Sequence, residues 1–196
     1  MRVIAGTAKG RALKAVPGTN TRPTTDKVKE AIFSMIGPYF DGGRVLDLFA
    51  GTGGLGIEAL SRGADRAVFV DLEGASIEVI KHNIQAAGLA ASSEIYRNEA
   101  TRAVKALEKR GIAFRIVFLD PPYRMKEMDN LMQELAQRKL LEPSAVIVVE
   151  HDAAHSYPEE LPGYDQIKRT QYGDTAVTIY RYRPEFESGS PVQMEE

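Results

Sequence analysis

Residues 45–60 read VLDLFAGTGGLGIEAL. Val45 to Phe49 is an apolar run of strand length, the glycines after it require a tight turn, and Gly54 to Arg62 has the composition of a helix. Gly51, Gly53 and Gly56 form a GxGxxG pattern at that strand-to-helix turn, and Asp71 follows Gly51 by 20 residues at the end of the next strand-like run, Ala67 to Asp71. This spacing suits a nucleoside bound beyond the carboxyl ends of a parallel sheet. Glycines let the backbone approach a ligand, and a carboxylate at that distance can accept from both ribose hydroxyls. Glycines after a strand are also ordinary turn residues, so the pattern alone does not choose a ligand.

Working outward, strand and helix signals alternate, which predicts successive βαβ units and a parallel sheet. Ile77, Ile80, Ile84 and Ala87 share one helical face that ends near Gly88, and Glu94 to Arg97 is a third strand. Ala100, Ala103, Val104 and Leu107 mark the next helix, Phe114 to Leu119 a fourth strand, Met128, Leu131, Met132 and Leu135 a further helix, and Ala145 to Glu150 a fifth strand. Tyr164 to Tyr172 and Thr175 to Arg183, separated by Gly173 and Asp174, predict an antiparallel hairpin. Upstream, Thr24, Thr25 and Asp26 offer an N-cap for a helix with apolar residues at Val28, Ala31, Ile32, Met35 and Ile36. Arg2 to Ala5 and Ala12 to Val16 are expected to pair as a short hairpin across Gly6 to Arg11. Residues 184–196 have little to bury and are expected to form a disordered tail.

Composition narrows the chemistry. With 196 residues, 43% of them hydrophobic, the chain can bury one core with a small appendage rather than two full domains. No run approaches the length of a membrane span and Met1 to Ile4 lacks a signal-like apolar block, so a soluble, cytoplasmic protein is expected. There is no cysteine. This excludes disulfides, thiolate metal sites and the cysteine adduct through which pyrimidine C5 methylation usually proceeds. The net charge of −2 is uneven: residues 1–23 carry Arg2, Lys9, Arg11, Lys14 and Arg22 and no acid, leaving −7 on the remainder. A basic arm on an acidic body suits contact with phosphates, and equally suits a solvated segment.

Two cofactor classes satisfy the glycine pattern, a dinucleotide and S-adenosylmethionine. Asp47 separates them, because a carboxylate beside the loop attracts the ammonium of a methionine moiety and repels a pyrophosphate. Asn98 and Glu99 follow the third strand, where a side chain could accept from an adenine amino group; a helix-start acid favoured by the dipole is the competing reading of Glu99. Beyond the fourth strand stand Asp120, Pro121, Pro122 and Tyr123. An acid, a stiff backbone with a free carbonyl, and an aromatic face make a grip for a nucleobase amino group. The Asp120 carboxylate and Pro121 carbonyl would accept its N–H bonds and turn the lone pair toward an incoming methyl, while Tyr123 stacks on the base. His82 reads as a surface residue and His151 as structural, His155 carries no signal, and no spacing suggests a metal site.

On RVIAGTAKGRALK (2–14), RPTTDKVKEAIF (22–33), VLDLFAGTGGLGIEAL (45–60) with Phe69 to Asp71, and LDPPY (119–123), the chain resembles the bacterial 16S ribosomal RNA guanine-N2 methyltransferases of the RsmD family. The likeness extends to about Arg183. It implies a seven-stranded, mostly parallel class I methyltransferase sheet over residues 25–183, with an antiparallel C-terminal hairpin and a basic RNA-binding extension at residues 1–24. It also implies S-adenosylmethionine as cofactor and 16S rRNA, in the small subunit or an assembly intermediate, as partner. The expected protein is a monomer with no metal. By position it implies Asp47, Gly51 and Gly53 at the methionine end, Asp71 at the ribose, Glu99 at adenine, Asp120 with Tyr123 at guanine, and Arg22 and Thr24 beside the pocket. The family more often has Asp where Glu99 stands. Adenine-N6 methylation uses the same grip, and a nicotinamide oxidoreductase or a non-catalytic RNA-binding module would leave Asp120 unused.

Overall fold

The computed structural model describes residues 1–18, 24–122 and 124–184. Helices α1 (Asp26–Ile36), α2 (Gly54–Ser61), α3 (Gly74–Ala86), α4 (Ala100–Glu108) and α5 (Met128–Gln137) alternate with strands β1 (Arg44–Asp47), β2 (Arg66–Asp71), β3 (Ser93–Arg97), β4 (Phe114–Leu119) and β5 (Leu141–Asp152). Strands β6 (Glu160–Leu161), β7 (Tyr164–Tyr172) and β8 (Thr175–Tyr182) follow. The sheet runs β3-β2-β1-β4-β5-β8-β7-β6. It holds the seven strands expected, with the two-residue β6 added at the edge. β1 to β5 pair in parallel, and β8 lies antiparallel against β5 from Val146↔Arg181 to Asp152↔Thr175.

Strand alternation sorts the core into two layers. Val45, Ala67, Phe69, Ile116, Phe118 and Val148 point to one face and pack with residues of α1, α2 and α3. Leu46, Leu48, Val68, Val70, Val117, Leu119, Ile147 and Val149 point to the other, under α4 and α5. Burial on both faces is why these strands read as near-continuous apolar runs. β1 is flanked by β2 and β4, whose connections leave in opposite directions, so a crevice opens beyond the carboxyl ends of β1 and β4.

Helix α1 begins as the sequence predicts: Thr25 Oγ1 accepts from Val28 N at 3.2 Å. The amino-terminal hairpin is short: around the bridge Arg2↔Ala12, Val3 N donates to Arg11 O and Leu13 N to Met1 O, both at 2.9 Å, and the next residues turn to α2 instead. Ile4 N and Ala5 N donate to the two oxygens of Glu58 at 3.0 and 3.1 Å, and Ala8 N donates to Ser61 Oγ at 2.9 Å. Val3, Ala8 and Leu13 enter the α1–α3 side of the core. Residues 1–18 are thus docked on the domain rather than projecting from it. Residues 184–196 were expected to form a tail; of these only Pro184 falls among the described residues. No helix of the described residues is long and apolar enough to cross a membrane.

Candidate active site

The turn between β1 and α2 is built by its glycines. Gly51 (φ +57°) and Gly53 (φ +80°) occupy the left-handed region that side chains resist, and Gly53 N closes the turn on Ala50 O at 2.7 Å. A Cβ at Gly56 would sit 2.4 Å from Phe69 Cε1, so the third glycine lets α2 lie against β2. At Gly51 a Cβ would meet nothing within 4 Å, which leaves the turn's outer face open. Asp71 reaches back to this loop: its Oδ2 accepts from Gly51 N at 2.8 Å and its Oδ1 from Glu73 N at 2.9 Å. Each oxygen keeps a second lone pair for a ligand hydroxyl.

Asp47 is fully buried, and its Oδ2 accepts from Gly56 N at 3.3 Å. Its Oδ1 has no hydrogen-bond partner among the described residues. Burial pushes its carboxyl up to about 7 against the Gly56 N–H, with the nearby charge of Asp71 adding to the rise. A buried acceptor lacking a donor is where a ligand cation gains most.

A cavity of about 920 Å³ joins this region to the end of β4. Asp47, Gly51, Asp71 and Glu99 line it on one side, and Asp120, Pro121 and Pro122 on the other. Met1, Ala15 and Val16 of the docked amino-terminal segment line it as well. Leu72, 57% exposed beside Asp71, offers an apolar flank suited to a purine face. The residues fit S-adenosylmethionine at three points: a buried carboxylate whose Oδ1 has no partner among the described residues for an ammonium, spare acceptors on Asp71 for a ribose, and an open glycine turn between them.

Glu99 is placed at the cavity but is occupied locally. It caps α4, its Oε1 accepting from Thr101 Oγ1 at 2.5 Å and Thr101 N at 3.3 Å, and these bonds hold its carboxyl below the usual range. Asp120 emerges from β4 with its Oδ2 3.4 Å from Thr24 Oγ1. Burial, then the charges of Glu150 and Asp47, raise its carboxyl well above the usual range, and the Thr24 hydrogen bond opposes them. Tyr123 and Arg22 lie outside the described residues. Lys9, Arg11 and Lys14 are exposed and form no ion pair among the described residues, while Arg2 pairs with Asp26 at 3.6 Å on the surface.

The sequence reading passed over two residues. Glu150, two residues before the end of β5, is buried, lines the cavity and accepts from Thr24 Oγ1 at 3.0 Å. Asn83, fully buried on α3, accepts from Lys14 N at 2.8 Å and donates to Lys14 O at 3.0 Å and Thr52 O at 2.8 Å, tying the amino-terminal segment to the glycine turn. An amide at a helix position otherwise carrying apolar neighbours was the available signal. His151 is structural: one ring nitrogen lies 2.9 Å from Asp152 O, so it carries the hydrogen, and the other, 2.8 Å from Thr178 Oγ1, accepts. Among the described residues no three His, Asp or Glu side chains gather as a metal site.

Known proteins align with this chain over nearly its full length. "Putative rRNA methyltransferase YlbH" of Bacillus subtilis is 51% identical over 183 residues, covering 93% of this chain and all of that one. "Ribosomal RNA small subunit methyltransferase D" of Escherichia coli K12 is 31% identical over 96% of this chain and 93% of its own. Among solved structures, the "Putative methyltransferase yhhF from Escherichia coli" superposes with a TM-score of 0.78 at 31% identity, over 93% of this chain and 98% of its own. An RNA methyltransferase of Salinibacter ruber, solved with S-adenosyl-L-homocysteine, shares the fold at 17% identity and a TM-score of 0.63, over 86% of this chain and 98% of its own. The family model described as "Conserved hypothetical protein 95" matches residues 1–181. The chain belongs to that family, the RsmD-type methyltransferases.

Proposed function

We propose that this protein transfers a methyl group from S-adenosylmethionine to the exocyclic N2 of a guanine in 16S rRNA, in the small subunit or an assembly intermediate. The observation that carries the reading is the single cavity that Asp47, Gly51 and Asp71 share with Asp120 and Pro121. The names of the relatives in Escherichia coli and Haemophilus influenzae support ribosomal RNA of the small subunit as substrate. Bound S-adenosylmethionine supplies an electrophilic methyl on a sulfonium that leaves as a neutral thioether.

The chain's own part is positioning. Asp47 accepts the ammonium, Asp71 the ribose hydroxyls, and the glycine turn admits the ligand without a side chain in the way. An exocyclic amine is a poor nucleophile because its lone pair is delocalised into the ring. Asp120 and the Pro121 carbonyl accept its two hydrogens and present the lone pair in line, with reacting atoms about 3 Å apart. Asp120 or a water takes the proton released. Tyr123 stacks on the base, and exposed Lys9, Arg11 and Lys14, with Arg2 and Arg22, hold the RNA phosphates. A base taken from a loop or flipped from a helix satisfies this geometry.

The test is transfer of label from the cofactor to small subunits lacking the modification, followed by nucleoside identification by mass spectrometry. N2-methylguanosine is expected. N6-methyladenosine would reassign the same grip to adenine, and no transfer with cofactor bound would remove the RNA reading. Stacking is worth about 1–3 kcal/mol, so Tyr123→Ala is expected to lower turnover at least about fivefold with cofactor affinity intact.

A further inference from the structure

We infer that Glu150 is a second base-contacting carboxylate of the acceptor site, reading guanine by accepting its ring N1–H beside the amino group held at Asp120. The inference rests on the guanine-N2 reading and adds to it the residue that selects the base. β4 and β5 are parallel neighbours with Leu119↔Val149 in register, so the next residues, Asp120 just past β4 and Glu150 within β5, stand on adjoining strands at the same level. Both line the cavity. One hydroxyl, Thr24 Oγ1, lies within range of both, 3.0 Å from Glu150 Oε2 and 3.4 Å from Asp120 Oδ2.

A hydroxyl has one proton to donate, so Thr24 satisfies one of the two carboxylates at a time. Lys29, which also lines the cavity, points its ammonium at Arg2 O (2.6 Å) and Glu58 (3.4 Å) instead. Among the described residues the pair therefore has more acceptor capacity than donors. Burial raises both carboxyls, and the charge of Glu150 adds to the rise at Asp120, so the pair gains from any ligand that brings hydrogens to it.

Guanine brings them. Its Watson–Crick edge presents N1–H and the N2 amino group side by side, donors all, and flipped bases are read along that edge. Adenine presents an amino group beside an unprotonated N1, which would set a lone pair against the Glu150 carboxylate. Sites built around a substrate hydrogen bond reject analogues that lack it by factors far larger than apolar pockets achieve.

The experiment compares RNA carrying guanine or 2-aminopurine at the target position. 2-Aminopurine keeps the amino group but has an unprotonated N1. The wild type is expected to favour guanine in kcat/KM by at least about tenfold, the effect of roughly 1.4 kcal/mol. In Glu150→Gln the carboxamide can donate to that N1, so the preference should shift toward 2-aminopurine by at least about tenfold. The missing O6 of 2-aminopurine is common to both enzymes and cancels in this comparison. A variant that binds cofactor like the wild type yet keeps the wild-type ratio overturns the inference, since a merely structural glutamate would lower both rates together. If Glu150→Gln fails to bind cofactor, the wild-type comparison decides alone, and equal turnover of the two bases overturns it. N6-methyladenosine as the wild-type product would instead remove the guanine reading on which it stands.

Discussion

Asp47 holds a carboxylate at zero exposure with one backbone donor, and this sets how the site responds to pH. Its folded value of about 7 stands above the ordinary 3.8 of an unfolded chain. Between those limits the native state holds a proton that the unfolded state has lost, so Asp47's contribution to stability is greatest at the acid end and declines as pH rises to about 7. Burial moves Asp120 and Glu150 in the same direction. Asp47→Asn is therefore expected to flatten the fall in melting temperature across this window. A ligand ammonium needs the ionised form, so wild-type cofactor affinity should weaken toward about tenfold per pH unit below 7, by calorimetry. The variant should bind at least about tenfold more weakly at pH 8 and lose that slope. An unaltered slope would place the ammonium elsewhere. Asp47, Asp71 and Asp120 were legible in sequence because each ends a strand next to a motif. Glu150 closes the apolar run of β5, which itself continues to Asp152, but its partner Thr24 lies 126 residues away and no local pattern links them. Glu99 was ambiguous between ligand and cap, and the local bond to Thr101 is a cap that any sequence with that pair can form.

At the scale of elements, α2 reaches its place through a missing side chain. An added methyl at Gly56 would press on Phe69, whose ring is fully buried, at 2.4 and 2.8 Å. Overpacking of this kind costs about 1–3 kcal/mol, so Gly56→Ala should lower the urea midpoint by the corresponding amount. Gly51→Ala tests the same turn differently. Its methyl meets nothing, so only the positive φ is penalised, by about 1–2 kcal/mol, while cofactor affinity should fall further because the methyl enters the ligand's space. Most elements were readable because one period dominates each: β4 and α5 follow their apolar residues from end to end. Where periods conflict, the reading fell short. β5 starts at Leu141, earlier than its apolar run, because Pro143 and Ser144 (φ +67°) interrupt the pattern at an irregularity of the β4–β5 register. β6 has two residues and no period at all. The amino-terminal segment pairs with itself only around Arg2↔Ala12, and Ile4, Ala5 and Ala8 bond to side chains of α2 instead, a preference set by Glu58 and Ser61 more than 50 residues downstream.

Over the whole molecule, charge is separated from chemistry by the way the amino-terminal segment is fastened. Glu58, fully buried, accepts from Arg62 Nε at 2.8 Å and from Ile4 N and Ala5 N, with Lys29 Nζ at 3.4 Å. This anchor presses the segment's apolar residues into the core and leaves Lys9, Arg11 and Lys14 on the surface. Two sets of variants therefore separate anchoring from phosphate binding. Glu58→Gln leaves buried cations short of a counter-charge, which typically costs about 3–5 kcal/mol, and should weaken RNA binding together with stability. Replacing Lys9, Arg11 and Lys14 by alanine removes side chains that form no ion pair among the described residues, so melting temperature and cofactor affinity should stay at wild-type values. RNA affinity should fall instead, and the dependence of log affinity on log salt should become shallower by about 0.7 for each single-strand phosphate that is no longer neutralised. Three such phosphates predict a change of about 2 in that slope, measurable by filter binding across a salt series. An unchanged slope in the triple variant would assign the phosphates to other residues and leave the basic segment a solvated surface of the fold.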